Sequence, residues 1–297
     1  MTFGINNMNN HDDEAVCINV DTAPVTALAL LSLRRFWPGP VRLVECSKSG
    51  SDRKWMRQLA DHLHIHYEER KLQLHGKTLD DIFRESTKRG ILLIDSDVEL
   101  LNGMALTTIM KAAAKDTYAA SGFVQEGDWA FVSGMSHAWY ASRIWMPFVW
   151  FRVSTIQSAI EQGSTFCADK IANDLPSWPR LSKMLATRSR MPVLRKLHFS
   201  LLQPFRNEYE GKKPSFIYRD TGAQIYRFLL DQNQAIFGAD WEIMNDGLVH
   251  LHGATRSRLS WIMPNAVPWR KARKYAFNRI NAEYASELPS ELIKCPK

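Results

Sequence analysis

The first 120 residues alternate between short apolar runs of strand length and longer segments whose apolar positions recur at helical spacing. Read in order, the pattern predicts strand 15–20, helix 25–36, strand 41–46, helix 52–62, strand 65–69 and helix 78–88. This repeated strand–helix order predicts an α/β fold with a mostly parallel sheet and right-handed crossovers.

The most informative segment is an apolar run at 90–94 that ends in an Asp-Ser-Asp triplet. Four consecutive branched apolar residues predict a strand buried on both faces. Asp95 and Asp97 follow at its carboxyl end, where open α/β sheets bind ligands. Two neighbouring carboxylates repel each other unless a cation neutralises them, and hard oxygen ligands suit Mg²⁺ or Mn²⁺. The triplet therefore indicates metal-assisted chemistry on a diphosphate, with a helix-capping turn as the structural alternative.

After the triplet the alternation continues for a while and then fades. The pattern predicts helix 104–115, strand 118–124, helix 153–162 and a late strand at 247–253. The expected organisation is a flexible start at 1–13, a catalytic domain at 14–260 with a basic, partly helical acceptor-side region at 176–245, and a basic C-terminal tail at 261–297.

The net charge of +7 is concentrated in two segments. Residues 176–206 and 247–281 each hold seven Lys or Arg and no Asp or Glu, so the rest of the chain is acidic overall. Both segments also hold bulky apolar residues, a mixture that suits an anionic membrane surface or an anionic acceptor. It also suits a nucleic-acid backbone, and solvated faces of ordinary helices are the plain alternative.

Cysteine usage and apolar run lengths bear on the compartment. The four cysteines show no paired spacing that indicates a zinc cage or a disulfide framework; they are Cys17, Cys46, Cys167 and Cys295. No run approaches the roughly 18 apolar residues that cross a bilayer, and the polar start lacks the features of a signal peptide. We expect a cytoplasmic enzyme, peripheral at the inner face of the membrane through its basic segments.

The apolar run at 90–94 followed by Asp95 and Asp97 resembles the signature of GT-A nucleotide-sugar glycosyltransferases, of the family 2-like inverting kind. The resemblance covers about 15–174 and a short piece around 252. It implies a GT-A-type, mostly parallel sheet flanked by helices, here followed by a basic aromatic C-terminal region. It also implies Mn²⁺ or Mg²⁺ as cofactor, a nucleoside diphosphate sugar as donor and an acceptor hydroxyl. A UDP sugar is the favoured donor and a GDP sugar the alternative.

The same resemblance implies the partners of the enzyme. They are the nucleotide-sugar donor and a glycan or lipid-linked acceptor. The two basic segments, rather than the resemblance, add an anionic membrane surface and with it bacterial surface glycan synthesis as the expected setting. Nucleic acid is not an expected partner.

The resemblance also assigns the metal ligands. It makes Asp97 the ligand of the ion, while Asp95 contacts the ribose or a metal-bound water. A later histidine can complete the metal shell, and His250 and His252 share one face of the late strand because they are two residues apart. His252 is favoured, since Gly253 beside it would let the backbone approach a diphosphate. A packed core histidine is the structural alternative.

Donor contacts are implied at three further places. Asp21 and Thr22 follow the first strand and are candidates for the ribose or the base, with helix capping as the alternative. After the second strand, such enzymes often have an acidic residue that contacts the nucleobase. This chain departs from that pattern and offers Glu45 or Asp52 there. Asp52 is the one assigned to the donor site. Gly134 lies where such enzymes line the donor sugar.

The resemblance places the catalytic base of an inverting reaction on a carboxylate at a helix start. Asp169 is the matching residue and is the candidate that would deprotonate the acceptor hydroxyl. Ala168 stands where the family often has a second acid. Glu126 and Asp128, in a Gly-containing loop after a strand, are the reserve candidates.

Two other classes of protein also fit part of the pattern. Haloacid dehalogenase-like phosphatases present an Asp-x-Asp strand with the first aspartate, here Asp95, as nucleophile. Their motif continues with a small hydroxylated or branched residue where this chain has Glu99, and it tends to lie on the first strand. A basic nucleic-acid-binding module would explain the basic segments alone and leave the triplet unexplained.

Overall fold

A computed structural model of the protein describes residues 12–124, 143–172, 216–219, 221–251 and 267–293. The first half contains β1 (Asp13–Asn19), α1 (Ala23–Phe36), β2 (Val41–Glu45), α2 (Gly50–His62), β3 (His66–Glu69), α3 (His75–Glu85), β4 (Gly90–Ile94), β5 (Val98–Leu100), α4 (Met104–Ala113) and β6 (Tyr118–Val124). The remainder contains β7 (Ile144–Arg152), α5 (Val153–Glu161), β8 (Asp169–Ala172), β9 (Phe216–Arg219), α6 (Ala223–Asp231), β10 (Ala235–Ala239), α7 (Trp241–Gly247), β11 (Leu248–His250), α8 (Trp269–Glu283) and α9 (Ser290–Ile293).

The central sheet has seven strands in the order β3-β2-β1-β4-β7-β6-β10. Strands β3, β2, β1 and β4 pair in parallel, and β10 pairs in parallel with β6. Only β7 runs against its two neighbours. The predicted α/β fold with a mostly parallel sheet flanked by helices is therefore confirmed.

Both faces of the sheet are buried, as the apolar run of β4 predicts. Leu92 and Ile94 join one core cluster, which also holds buried residues of α1, α2, α4 and α8. Ile91 and Leu93 join a second cluster, with buried residues of α3, α5 and α6. Because successive side chains of a strand point to opposite faces, these helices cover the sheet from both sides.

Two strands of the central sheet have no counterpart in the predicted pattern. Strand β7 is apolar from Ile144 to Phe151 and contains Pro147, and proline argues against a strand in the middle of a sheet. Pro147 nevertheless contributes its carbonyl, which accepts a hydrogen bond of 2.8 Å from the Asp95 backbone N–H. Strand β10 is a short edge strand that lies in the region interpreted as a basic, partly helical segment.

The C-terminal region is packed rather than loose where the structure describes it. Ala272, Ala276 and Ile280 on α8 are buried in the same core cluster as α1. Arg270 and Lys271, on the other side of the helix, are exposed. No helix among the described residues is long and apolar enough to span a bilayer.

Candidate metal and donor site

The order of the strands marks one crevice at the edge of the sheet. From β1 the chain moves outward through β2 to β3 and then returns to the other side of β1 at β4. Open α/β sheets bind ligands at the carboxyl ends of strands where the order reverses in this way. Asp21 follows β1 and Asp95 follows β4, and these two strands are paired with Cys17 opposite Ile94. The carboxylates predicted from the sequence therefore lie on the two sides of the switch point.

A short two-stranded sheet brings a histidine to the triplet. β5 follows Asp97 directly and pairs antiparallel with β11, with Val98 opposite His250. The Leu251 backbone N–H donates a 2.8 Å hydrogen bond to the Asp97 carbonyl, which extends the pairing by one step. Two segments about 150 residues apart in sequence therefore meet at the metal motif.

Asp95, Asp97 and His250 form one cluster of potential ligands. One ligand atom of each residue lies within 4.8 Å of those of the other two. The Asp97 Oδ1 and His250 Nε2 atoms are 3.2 Å apart. Asp97 is only 6% exposed, so its charge is largely removed from water. Two carboxylates and one imidazole form a donor set that suits Mn²⁺ and related divalent ions, so these residues fit the metal that the resemblance implies.

Aromatic rings fix the position of the His250 side chain. The Trp145 ring meets the His250 ring edge to face, with centroids 5.0 Å apart and planes at 79°. Trp145 also packs edge to face against Trp241 at 5.7 Å. Such contacts favour a single ring orientation. The sequence reasoning missed Trp145, because it lies on β7.

The buried thiol of Cys17 shows how strongly negative charge is concentrated at this edge. Burial raises the pKa of Cys17 well above its usual range, and the carboxylates of Asp95, Asp97 and Glu45 raise that pKa further. Acids from the ends of β2 and β4 therefore act on one buried atom of the strand between them. This electrostatic arrangement favours binding of a cation.

A buried polar network lies beneath the turn between β1 and α1. Asn19 is fully buried, and its Nδ2 donates to Glu45 Oε2 at 2.8 Å. Its Oδ1 accepts from the hydroxyls of Thr22 at 3.0 Å and Thr26 at 2.7 Å. Burial raises the pKa of Glu45, and its hydrogen bonds from Ser47 and Asn19 oppose that rise. The described contacts therefore place the Thr22 hydroxyl inside this network, under the surface predicted to bind the donor.

Asp21 joins this turn to the loop after β2. Its Oδ1 accepts hydrogen bonds from the backbone N–H groups of Lys48 at 3.0 Å and Ser49 at 3.1 Å. Its own backbone N–H donates to Ser47 Oγ at 2.7 Å. Asp21 has a φ of 52°, in the left-handed region that aspartate tolerates better than most residues. Its carboxylate thus shapes the rim of the crevice.

Asp52 takes part in a helix cap. Ser49 is the N-cap of α2, and its Oγ accepts from the Asp52 backbone N–H at 3.3 Å. The Ser49 hydroxyl also lies 3.1 Å from Asp52 Oδ1. The Ser49 backbone N–H donates to Asp21 Oδ1 rather than to Asp52, so the arrangement is a serine N-cap and not a complete capping box. The contact of the Asp52 carboxylate with the Ser49 hydroxyl is part of this cap. It gives Asp52 a structural role beside the predicted donor role.

The setting of Asp169 differs from the prediction. Asp169 is the first residue of β8, which pairs antiparallel with β9 and sets Asp169 opposite Arg219, so it does not lie at a helix start. The loop before β8 is anchored by Asp80, which is 4% exposed. Asp80 accepts hydrogen bonds from the Thr165 hydroxyl and, at 2.8 Å, from the Phe166 backbone N–H. The helical interpretation failed because the strand depends on a distant partner segment.

Several predicted residues lie outside the described residues. These are Gly134, Glu126, Asp128, His252 with Gly253, and the basic segment at 176–206. Within the described residues, the structure brings Asp95 and Asp97 together with His250, which the sequence reasoning named and ranked second. Asn19 is a further residue of this region that the sequence signals, since it is a polar residue at the end of an apolar strand.

Replacement of His250 by Ala is expected to weaken Mn²⁺ binding about 10-fold to 100-fold, as removal of a supporting group at a metal site typically does. Isothermal titration of the free protein with MnCl₂ measures the effect. His252→Ala is the matched control, two residues along the chain, and is expected to bind Mn²⁺ as the parent does. If His252→Ala lost more Mn²⁺ affinity than His250→Ala, the ligand role would return to His252, as the sequence predicts.

No family model matches the chain, and no curated protein sequence matches it. Among solved structures, the chain is similar to the mannosyltransferase PcManGT from Pyrobaculum calidifontis in complex with GDP-Man and Mn²⁺. The identity is 13%, the alignment covers 92% of this chain and 76% of that chain, and the TM-score is 0.39.

The chain is also similar to S. aureus TarS 1–349 in complex with UDP-GlcNAc, at 14% identity over 49% of this chain and 46% of that chain, with a TM-score of 0.36. A third similar structure is the galactosyltransferase LgtC in complex with donor and acceptor sugar analogs. The identity is 11%, the alignment covers 49% of this chain and 59% of that chain, and the TM-score is 0.35. The chain spans 29% of the length of TarS and about half that of TarS 1–349.

Proposed function

We propose that this protein is a metal-dependent glycosyltransferase of the GT-A type. It would transfer a sugar from a nucleoside diphosphate sugar, a UDP sugar in the first instance and a GDP sugar as the alternative, to an acceptor hydroxyl. The observation that carries the proposal is the cluster of Asp95, Asp97 and His250 at the switch point of the sheet. A carboxylate pair and an imidazole at that edge form a divalent-ion site beside a nucleotide crevice.

Each side of the crevice has its own task in this proposal. Asp97 and His250 would hold Mn²⁺ or Mg²⁺, and Asp95 would contact the ribose or a water of the ion. A divalent ion supplies neutralisation of the charge that develops on the leaving diphosphate. Asp21 shapes the opposite rim, where the ribose or the base would lie. The Trp145 ring packs edge to face against His250 and so favours one orientation of the imidazole.

On the acceptor side, Asp169 would accept the proton of the attacking hydroxyl, which makes the transfer inverting. Its position follows a loop anchored by the buried carboxylate of Asp80. Catalysis by proton transfer depends on the position of the base, and an anchored loop directly before β8 would suit that need. The acceptor we propose is a bacterial surface glycan or a lipid-linked glycan.

A screen of sugar nucleotides tests the proposal. Thermal unfolding of the full chain with MnCl₂ and each of a set of UDP and GDP sugars is expected to show stabilisation by at least one donor, because a ligand that binds only the folded state raises its stability. The same donor should be hydrolysed slowly in the presence of Mn²⁺ and not with EDTA. Hydrolysis of small phosphate esters with no response to any sugar nucleotide would favour the phosphatase alternative, in which Asp95 is a nucleophile.

Two structural observations weigh against that alternative. Three strands, β1 to β3, precede the motif strand along the chain, whereas the phosphatase motif tends to lie on the first strand. Glu99 stands where the phosphatase motif has a small residue, and its buried carboxylate is bound by Tyr275 and Arg279.

We further propose that α8 binds an anionic membrane surface. Arg270, Lys271 and Lys274 are exposed, while the opposite face of α8 is packed in the core. Arg273 is half-buried, and its guanidinium lies 5.4 Å from the centroid of the Phe277 ring. A rigid helix that displays basic groups outward suits an acidic lipid surface, which would hold the enzyme near a lipid-linked acceptor.

Changing Arg270, Lys271, Arg273 and Lys274 together to Gln is expected to release the protein from vesicles that contain phosphatidylglycerol. Each exposed basic group contributes on the order of 1 kcal/mol at such a surface, so affinity should fall at least about 100-fold. Vesicle sedimentation measures the effect, and added salt should reproduce it on the parent protein.

The matched control replaces three exposed lysines outside α8, Lys54, Lys71 and Lys77, by Gln. It removes positive charge without touching this helix and should leave vesicle binding near the parent level. Equal loss in both variants would indicate a non-specific effect of net charge. If neither salt nor the α8 substitutions change vesicle binding, α8 is not the membrane-binding surface and its basic face is an ordinary solvated one.

A further inference from the structure

The Glu99 carboxylate is buried close in sequence to the cluster of Asp95, Asp97 and His250. Among the contacts that the structure describes, side chains of α8 supply its hydrogen bonds. Glu99 lies in the middle of β5 and is 1% exposed. The Tyr275 hydroxyl donates to Glu99 Oε2 at 2.6 Å, and Arg279 Nε donates to Glu99 Oε1 at 2.8 Å. Tyr275 and Arg279 are four residues apart, so they lie on one face of α8.

The strand that Glu99 belongs to needs such support. β5 and β11 have three residues each and form a two-stranded sheet of their own. A two-stranded pair is marginally stable by itself in water. The pair nevertheless has to present two members of the ligand cluster together, because Asp97 precedes β5 and His250 ends β11. Its register therefore decides whether their ligand atoms meet.

Glu99 is well placed to fix the position of β5 in that pair. It stands opposite Val249, next to the pair formed by Val98 and His250. Hydrogen bonds between a carboxylate and a guanidinium or hydroxyl are short and directional. A buried carboxylate that lost these donors would be left unpaired, which is strongly unfavourable. The strand is thus held in the one position where Glu99 reaches α8.

We propose that Glu99, Tyr275 and Arg279, here termed the Glu99 clamp, are positioning residues for the metal site. The clamp holds β5 against α8 and so keeps Asp97 and His250 in mutual reach. The inference rests on the proposed function only in that it takes the cluster of Asp95, Asp97 and His250 to be a metal site. It makes the C-terminal helix part of the machinery that builds the site.

Binding of Mn²⁺ alone to the full chain, without nucleotide, tests the clamp. The electron paramagnetic resonance signal of free Mn²⁺ gives the dissociation constant. Glu99→Gln is expected to weaken Mn²⁺ binding about 10-fold to 100-fold, as loss of groups that orient ligands typically does. Tyr275→Phe removes one donor and keeps the ring, so a smaller loss, about 10-fold at most, is expected.

Arg35→Gln is the matched control, because it loosens the same helix without touching β5. Arg35 pairs with Glu283 at 3.5 Å and with Glu287 at 3.1 Å, and its guanidinium stacks 3.8 Å from the centroid of the Tyr284 ring. This variant should lose thermal stability but keep the parent affinity for Mn²⁺. An equal loss of Mn²⁺ binding in Arg35→Gln would overturn the clamp, since docking of the helix in general would then be responsible.

The outcomes separate this inference from the proposed function. If the parent binds Mn²⁺, Asp97→Asn abolishes binding and the folded clamp variants bind as the parent does, then the clamp alone is wrong. If the parent does not bind Mn²⁺, the proposed function fails and the clamp fails with it. If Glu99→Gln does not fold, the Tyr275→Phe result decides, and unchanged Mn²⁺ affinity in that variant overturns the clamp.

Discussion

Asp97→Asn is expected to abolish the stabilisation of the protein by a sugar nucleotide and Mn²⁺ together. The substitution keeps the shape of the side chain and removes the negative charge that would bind the ion. Asp97 is 6% exposed and its Oδ1 lies 3.2 Å from His250 Nε2, so the substitution removes the buried charge directly beside the imidazole. Thermal unfolding with and without MnCl₂ and donor measures the loss.

The fold should survive this change. Asp97 lies in the turn between β4 and β5, and the backbone bonds of that turn, such as Val98 N–H to the Asp95 carbonyl, do not involve its side chain. Asp116→Asn is a suitable control, since its side chain is 88% exposed and follows α4, away from the switch point. Full metal-dependent donor binding by Asp97→Asn would remove the basis of the proposed function.

The central strand and its triplet could be predicted because their signal is local. An apolar run at 90–94 with charged residues directly after it has one simple interpretation, and both faces of β4 are buried as expected. The crevice between β1 and β4 follows from the strand–helix order alone. The sequence pattern starts the second helix at Asp52, whereas the structure has Ser49 as its N-cap, a position that a serine three residues before an acid also signals.

The choice between two histidines could not be made from the sequence. His250 and His252 share a face of any strand that contains both, because the side-chain period is two. What brings His250 to Asp97 is the register of β11 on β5, with His250 opposite Val98, while His252 lies outside the described residues. Register depends on a contact between segments about 150 residues apart, and the sequence carries no local signal for it.

The same physical reason explains why the surroundings of Asp169 were misjudged. β8 exists through its pairing with β9, more than 40 residues later in the chain. An acid followed by a mixture of apolar and polar residues has the composition of a first helical turn, and only the distant partner changes its conformation. Non-local strand pairing overrides local propensity here.

The second large effect, on the turnover number for sugar transfer, is expected from Asp169→Asn. If Asp169 takes the proton of the acceptor hydroxyl, its loss should lower the turnover number for transfer by about 10²–10⁴, the usual range for removal of a general base. Donor binding should stay close to that of the parent, because the residue acts on the acceptor side. Steady-state kinetics with varied donor and fixed acceptor separates the two effects.

The pH profile tells a base apart from a residue that only supports the loop. In the parent, transfer should rise with pH as the base loses its proton, and Asp169→Asn should lose this acidic limb. Asp80→Asn gives the contrast. It weakens the anchor at Thr165 and Phe166, so turnover should fall while the limb remains. An acidic limb that persists in Asp169→Asn would move the role to Glu126 or Asp128, or indicate a retaining reaction.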